Sequence, residues 1–100
     1  MQDDIITLPS EYKKLKAELG KNKPKYMDYI YEHILNNSDD NFKIKNTRIK
    51  LFSFSQSNLI VIITKTHFKS VIDNLLNYYI KEEVYEKCSL LNKIKNNIDL

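Results

Sequence analysis

Phe42-Lys43-Ile44-Lys45-Asn46-Thr47-Arg48-Ile49-Lys50-Leu51-Phe52-Ser53-Phe54, then Ser55-Gln56-Ser57-Asn58, then Leu59-Ile60-Val61-Ile62-Ile63-Thr64-Lys65: this stretch is where helical periodicity gives way to a strand-like pattern. β-Branched and aromatic residues concentrate in it, and no helix signature interrupts them. Phe42 to Phe54 predicts one long strand or two pieces broken near Asn46-Thr47. Leu59 to Ile63 reads as a strand buried on both faces. Ser55 to Asn58 is too polar to continue either strand and predicts the turn of an antiparallel hairpin, although it lacks an Asn-Gly or Asp-Gly pair.

Working outward, Thr66 is placed to cap a third helix whose Phe68, Val71, Ile72, Leu75, Leu76 and Tyr79 form an apolar stripe. The later apolar positions Val84, Cys88 and Leu91 fall more than about 100° away from that stripe on a helical wheel. The chain must therefore break or bend near Ile80 to Glu83, or run on as one helix whose second half packs on something else, such as another subunit. Residues 93–100, rich in Asn and Lys, are expected to fray. Upstream, Asn37-Ser38-Asp39-Asp40-Asn41 marks a loop. Before it, residues 24–36 predict a helix striped by Met27, Ile30, Tyr31, Ile34 and Leu35, with Tyr26, Tyr29 and His33 together on the opposite side. Residues 10–19 predict another helix, with Ser10 as its cap, Tyr12, Leu15 and Leu19 as its stripe and Gly20 ending it in a left-handed conformation. Pro24 suits the first turn of the following helix. Residues 1–9 read as an extended arm or short strand.

The expected fold is α+β: two N-terminal helices, a small antiparallel hairpin or sheet, and one or two C-terminal helices in a single domain, residues 1–100. A winged-helix variant also combines helices with a hairpin, but its usual order fits this one imperfectly. Apolar residues make up 42% of the chain and charged residues 29%, with a net charge of only +3, so the composition is that of a folded protein. Ile, Lys, Asn and Tyr supply 46 of the 100 residues, against one Arg and one Gly. Such residues have A/T-rich codons, so part of the lysine content reflects an AT-rich source genome. The position of a lysine therefore carries more information than the number of lysines.

The opening Met1-Gln2-Asp3-Asp4 is unlike a secretory signal, and the longest apolar run, Leu59 to Ile63, is far short of the roughly 20 residues that span a bilayer. A cytoplasmic protein without a membrane segment is the expectation. Cys88 is the only cysteine, which leaves no internal disulfide. No His or Cys pair has metal-ligand spacing, and one glycine cannot write either a dinucleotide fingerprint or a phosphate loop. No nucleophile has a matching base in a local signature, and the adjacent acids Asp3-Asp4, Asp39-Asp40 and Glu82-Glu83 lie in polar stretches where nothing would shift a carboxyl pKa. We expect no enzyme activity, cofactor or metal.

The uneven distribution of charge is the informative feature. Lys13, Lys14, Lys16, Lys21, Lys23 and Lys25 crowd residues 13–25, and Lys43, Lys45, Arg48 and Lys50 crowd residues 43–50 with no acid among them. Strand alternation would put Arg48, Lys50, Phe52 and Phe54 on one face, with Ile49 and Leu51 on the other. A basic row running into two aromatics suits a single-stranded nucleic acid, with cations along the phosphates and rings stacked on bases. Tyr26 and Tyr29, beside Lys23 and Lys25, would extend that surface. The competing reading makes Phe52 and Phe54 core and the lysines a guard against edge-to-edge aggregation. The sequence thus points to a small non-enzymatic nucleic-acid-binding or replication-accessory protein, from an AT-rich bacterium or its phage or mobile element. Its phosphate contacts would come from Lys21, Lys23, Lys25, Lys43, Lys45, Arg48 and Lys50, and its stacking from Tyr26, Tyr29, Phe52 or Phe54. The alternative is a protein-binding module, such as an inhibitor, an immunity protein or an accessory subunit, docking through Val84, Cys88 and Leu91 on a larger protein or a second copy.

Overall fold

The computed structural model describes residues 5–98, so expectations for residues 1–4 and 99–100 lie outside it. The elements run β1 (Ile6–Leu8), α1 (Tyr12–Lys21), α2 (Lys23–Asn36), β2 (Arg48–Phe54), β3 (Ile60–Thr64), a short 3-10 turn (Lys65–His67), α3 (Phe68–Lys81) and α4 (Tyr85–Asn96). This is the α+β order expected, but the sheet is mixed rather than purely antiparallel. Its order is β1-β2-β3, with β1 parallel to β2 and β3 antiparallel. The chain leaves β1, passes through both α1 and α2, and returns beside β1 in the same direction, as a crossover through helices allows.

The helices cover one face of the sheet. Leu8, Ile49, Phe52 and Ile63 are buried on that side, whereas Thr7, Arg48, Lys50 and Ile60 are exposed on the other. Ile34, Ile72, Leu75, Tyr79, Leu91 and Ile94 are the most fully buried side chains and draw α2, α3 and α4 into one core. Each aliphatic side chain removed from water in this way contributes roughly 1.5–3 kcal/mol. The outlying element is α1, which buries no residue. Of its expected stripe Leu15 packs partly, while Tyr12 and Leu19 stay exposed. Hydrogen bonds hold α1 to its neighbour instead: the Tyr26 hydroxyl donates to Glu18 Oε2 at 2.6 Å and Asn22 Nδ2 donates to the same oxygen at 2.7 Å.

Several local expectations are corrected. Ser10 caps nothing; Glu11 occupies the N-cap, and Ser10 Oγ donates to the Ser55 carbonyl while the Ser55 N–H bonds to Leu8 O, tying the end of β1 to the hairpin turn. Gly20 lies inside α1 rather than ending it, with no positive φ. Thr66 falls in the 3-10 turn, where its hydroxyl meets Thr64 and His67 side chains instead of capping α3. β3 is an edge strand, so Leu59, Ile60 and Val61 are exposed rather than buried on both faces.

The break after α3 falls where the phase change of the apolar stripe demands it. Glu83 takes φ 59°, its N–H bonds to Ile80 O at 3.1 Å, and the Val84 N–H bonds to Tyr79 O at 2.8 Å. This pair of bonds closes a helix end around a left-handed residue and turns the chain back. As a result α4 packs against α3, with Cys88, Leu91 and Ile94 buried and Val84 half-buried. Val84, Cys88 and Leu91 therefore form no docking stripe; the bend aims them into the chain's own core. The fraying expected from residue 93 is likewise replaced by helix to Asn96, beyond which Asn97 Nδ2 donates to the carbonyls of Asn41 and Phe42 at 3.0 and 3.2 Å.

Candidate nucleic-acid interface

The β2 strand carries a bulge. Lys50 pairs with Ile62, but Phe52 pairs with Val61, leaving Leu51 as the extra residue. An extra residue resets the side-chain alternation. Arg48 and Lys50 consequently point to the open face, while Ile49, Leu51 and Phe52 all turn inward and Ser53 takes the next outward place. The expected row of Arg48, Lys50, Phe52 and Phe54 on one face is corrected: Phe52 is only 7% exposed and Phe54 is half-buried against the core. The adjacent apolar pair Leu51-Phe52 inside an otherwise alternating run is the sequence signal of this phase change.

The tyrosines of α2 are committed in the same way. Tyr26 is buried with its ring edge-on to Phe52 at 5.9 Å, and its hydrogen bond to Glu18 pushes the phenol up to about 12. Tyr29 lies 5.2 Å from Phe52; its hydroxyl donates to the bulged Leu51 carbonyl at 2.5 Å and accepts the Ile6 N–H at 3.2 Å. It thereby ties β1 to the bulge. The face shared by Tyr26, Tyr29 and His33 is the contact of α2 with the sheet, so Tyr26 and Phe52 offer no open ring face to a base. His33 packs on Tyr29 at 4.1 Å and its Nδ1 lies 3.0 Å from the Tyr29 carbonyl, which places the proton on Nδ1 and leaves Nε2 as the unengaged ring nitrogen.

What remains is a cationic surface with shape. His33, Asn37, Asn46, Arg48, Lys50, Ile5 and Ile49 line a cleft of about 270 Å³ between the second half of α2 and the start of β2. Asn46 Nδ2 donates to Asn37 Oδ1 at 2.5 Å and braces its wall. On the other side of Asn46 a second cleft, about 280 Å³, is lined by Lys43, Thr47, Lys65 and Asn97 over a floor of Ile44, Phe68 and Ile98. The loop presenting Lys43 is shaped by Asp39, whose carboxylate accepts the N–H of Lys43 at 3.0 Å and of Asn41 at 2.8 Å. Those two backbone bonds hold the Asp39 carboxyl below its ordinary value.

Lys43, Lys45, Arg48, Lys50 and Lys65 are all exposed, and among the described residues no ion pair engages any of them, although the Asp39 carboxylate acts through space on Lys43 and Lys45; ion pairs elsewhere include those of Lys14, Lys87 and Lys95. From Asn41 to Ile72 the chain has six cations and no acid, so against a total of +3 the remaining residues are net negative by three. Lys65 was missed in the linear pattern because only the register Arg48↔Thr64 brings it beside the basic segment. Lys21, Lys23 and Lys25 are exposed too, but they sit at the opposite end of α2. Lys23 and His33 are about 15 Å apart along the axis at 1.5 Å per residue. Lys23 stands over Tyr78 at 5.7 Å and lines a separate groove with Met27, Asn74, Asn77 and Lys81, and Lys25 stands over Tyr26 at 5.4 Å. The structure thus divides the expected phosphate contacts into two groups.

Among the described residues no three of His, Cys, Asp and Glu come together as metal ligands would, and no helix is long and apolar enough to cross a membrane. Comparison with protein-family models, with curated proteins and with solved structures finds no match to the chain.

Proposed function

We propose that the chain is a small, non-enzymatic, cytoplasmic nucleic-acid-binding accessory protein that contacts phosphates through Lys43, Lys45, Arg48, Lys50 and Lys65. The observation that carries this reading is the acid-free run of exposed cations at the start of β2, where β1, paired only with Phe52 to Phe54, leaves an open stretch of strand and a cleft beside Arg48 and Lys50. They project from the sheet face that the helices leave open, within a stretch that has no acid to neutralise them. Cations so placed track a polyanion, and the released counterions make binding fall steeply with salt.

Because Tyr26, Tyr29 and Phe52 are engaged inside the protein, the surface recognises backbone rather than bases. Single strands remain the expected ligand, since a cleft beside an open sheet edge admits a flexible chain more readily than a duplex; the two sit on opposite arms of the test. Fluorescence anisotropy of labelled single- and double-stranded DNA and RNA, across a salt series, checks the reading. Binding to single strands that weakens with salt, and that falls steeply at low salt when Lys43, Lys45, Arg48 and Lys50 are all changed to Ala, supports it. Unchanged binding in that variant, or no binding at low salt, overturns it.

A further inference from the structure

We propose that β3 pairs antiparallel with β3 of a second copy of this chain, across a twofold axis at Ile62, so that two copies share one six-stranded sheet. This pairing needs no nucleic acid and stands independently of the function proposed above.

β3 borders the sheet, with β2 on one side only. The Phe54 N–H bonds to Leu59 O at 3.3 Å, and the register continues through Ser53↔Ile60 and Phe52↔Val61 with the bulge confined to β2. Regular alternation along β3 then turns the backbone groups of Val61 and Ile63 toward β2 and those of Ile60, Ile62 and Thr64 toward the open edge. Leu59, Ile60 and Val61 are 69%, 46% and 37% exposed. In water, an unpaired edge with exposed apolar side chains is a template for another strand.

The usual protections are absent from this edge and present on the other. No charged residue occurs from Leu51 to Thr64 in a chain that is 29% charged, and β3 contains neither Pro nor a bulge. β1, by contrast, has three residues and is followed by Pro9. Charge also selects the occupant. An antiparallel pair centred on Ile62 opposes Ile62 to itself, Ile60 to Thr64 and Leu59 to Lys65, so no like charges face each other. The two Lys65 residues would be about 20 Å apart along the strands, and the two Lys50 residues about 14 Å apart across three strand spacings, both beyond the Debye length of about 8 Å. An uncharged strand offers nothing to a charged foreign strand, but it meets its own copy without penalty. A twofold pairing consumes both β3 edges and leaves outside only the short β1 edges and the start of β2, where Arg48 and Lys50 oppose a further strand, so assembly closes at the dimer. Five residues a side is a small interface, well under about 800 Å² per partner, and the dimer is accordingly weak.

Sedimentation equilibrium of the full chain, from about 5 to about 500 μM, reads this directly as a concentration-dependent mass. The average mass should climb from 11.9 kDa toward twice that value. Ile62→Lys sets two ammonium groups face to face on the axis and should hold the mass at the monomer value. Ile60→Lys, at a more exposed site, should weaken association at least tenfold without changing the circular dichroism. Ile62→Cys should form a disulfide-linked dimer under mild oxidation, since directly opposed hydrogen-bonded residues lie about 5.5 Å apart at Cα, within disulfide range. Ile60→Cys should not, and Cys88 is buried and takes no part. A single monomeric species over the whole range, equal cross-linking at both positions, or growth beyond the dimer would each overturn the proposal.

Discussion

Glu83 holds φ 59° at the helix-end position where glycine ordinarily stands, a conformation that costs a non-glycine residue roughly 1–2 kcal/mol. Glu83→Gly keeps the bonds to Ile80 and Tyr79 and relieves that cost, while loosening the unfolded chain. The net gain should be about 0.5–1 kcal/mol, seen as a melting temperature higher by about 2–8 °C. Gly20 is the converse case, helical and with nothing within 4 Å of an added Cβ, so Gly20→Ala should also stabilise by about 0.5–1 kcal/mol in denaturant titrations. Asp28 adds a pH dependence. Burial pushes its carboxyl up, but hydrogen bonds from the Tyr79 hydroxyl at 2.6 Å and Lys87 Nζ at 3.0 Å outweigh burial and hold it below its ordinary value of 3.8. A carboxyl lowered on folding stabilises the native state above its unfolded pKa, and that contribution disappears as pH falls through the folded value. The Asp28 side chain is 53% exposed, so after solvent screening its pairing with Lys87 is worth at most about 1 kcal/mol. Asp28→Asn should therefore lower stability by about 0.5–1 kcal/mol at pH 7 and by progressively less below pH 4, as urea melts at a series of pH values would show.

Elements defined by local pattern were legible in the sequence, and elements defined by distant pairing were not. The break after α3 followed from the rotation of Val84, Cys88 and Leu91 away from the stripe of Phe68 to Tyr79, and α2 followed from Pro24 and the spacing of Met27, Ile30, Tyr31 and Ile34. The role of that rotation was not legible, because the same phase change serves a second subunit or a chain that doubles back. The αL turn at Glu83 decides between them. The parallel pairing of β1 was hidden because three residues must find Phe52 to Phe54 across two intervening helices. Of the candidate site, the exposed cations of residues 43–50 were legible, whereas the placement of Phe52 depended on the bulge at Leu51 and that of Lys65 on hairpin register. The doubling-back of α4 has a measurable energetic consequence. Leu91 is fully buried against α3, so Leu91→Ala should destabilise by about 2–5 kcal/mol, a large share of the stability of a domain this size. A loss under about 1 kcal/mol would return Leu91 to the surface and restore the docking reading of α4.

Across the whole molecule the charge is polarised: residues 41–72 are net positive by six and the rest net negative by three. An AT-rich genome explains many lysines, but codon bias acts on lysine alike at every position and does not remove acids from a contiguous third of the chain. The fold brings Lys43, Arg48, Lys50 and Lys65 of that third to the two clefts that share Asn46, with Asp39 the neighbouring acid that shapes the Lys43 loop. A neutral or uniformly basic protein would bind nucleic acid weakly and everywhere; a polarised one presents one face to it. The salt dependence counts the contacts. Five phosphates neutralised by Lys43, Lys45, Arg48, Lys50 and Lys65 give a slope of log K against log salt of about −3.5 on a single strand and about −4.5 on a duplex. Between 50 and 200 mM salt the single-strand affinity should accordingly fall about 100-fold. Changing Lys43, Lys45, Arg48 and Lys50 to Ala should flatten the single-strand slope to about −0.7, the value for one remaining contact. Changing Lys21, Lys23 and Lys25 instead, at the far end of α2, should leave the slope on a short oligonucleotide unchanged. The opposite ranking of these two variants would move the interface to the groove beside Tyr78 and away from the sheet.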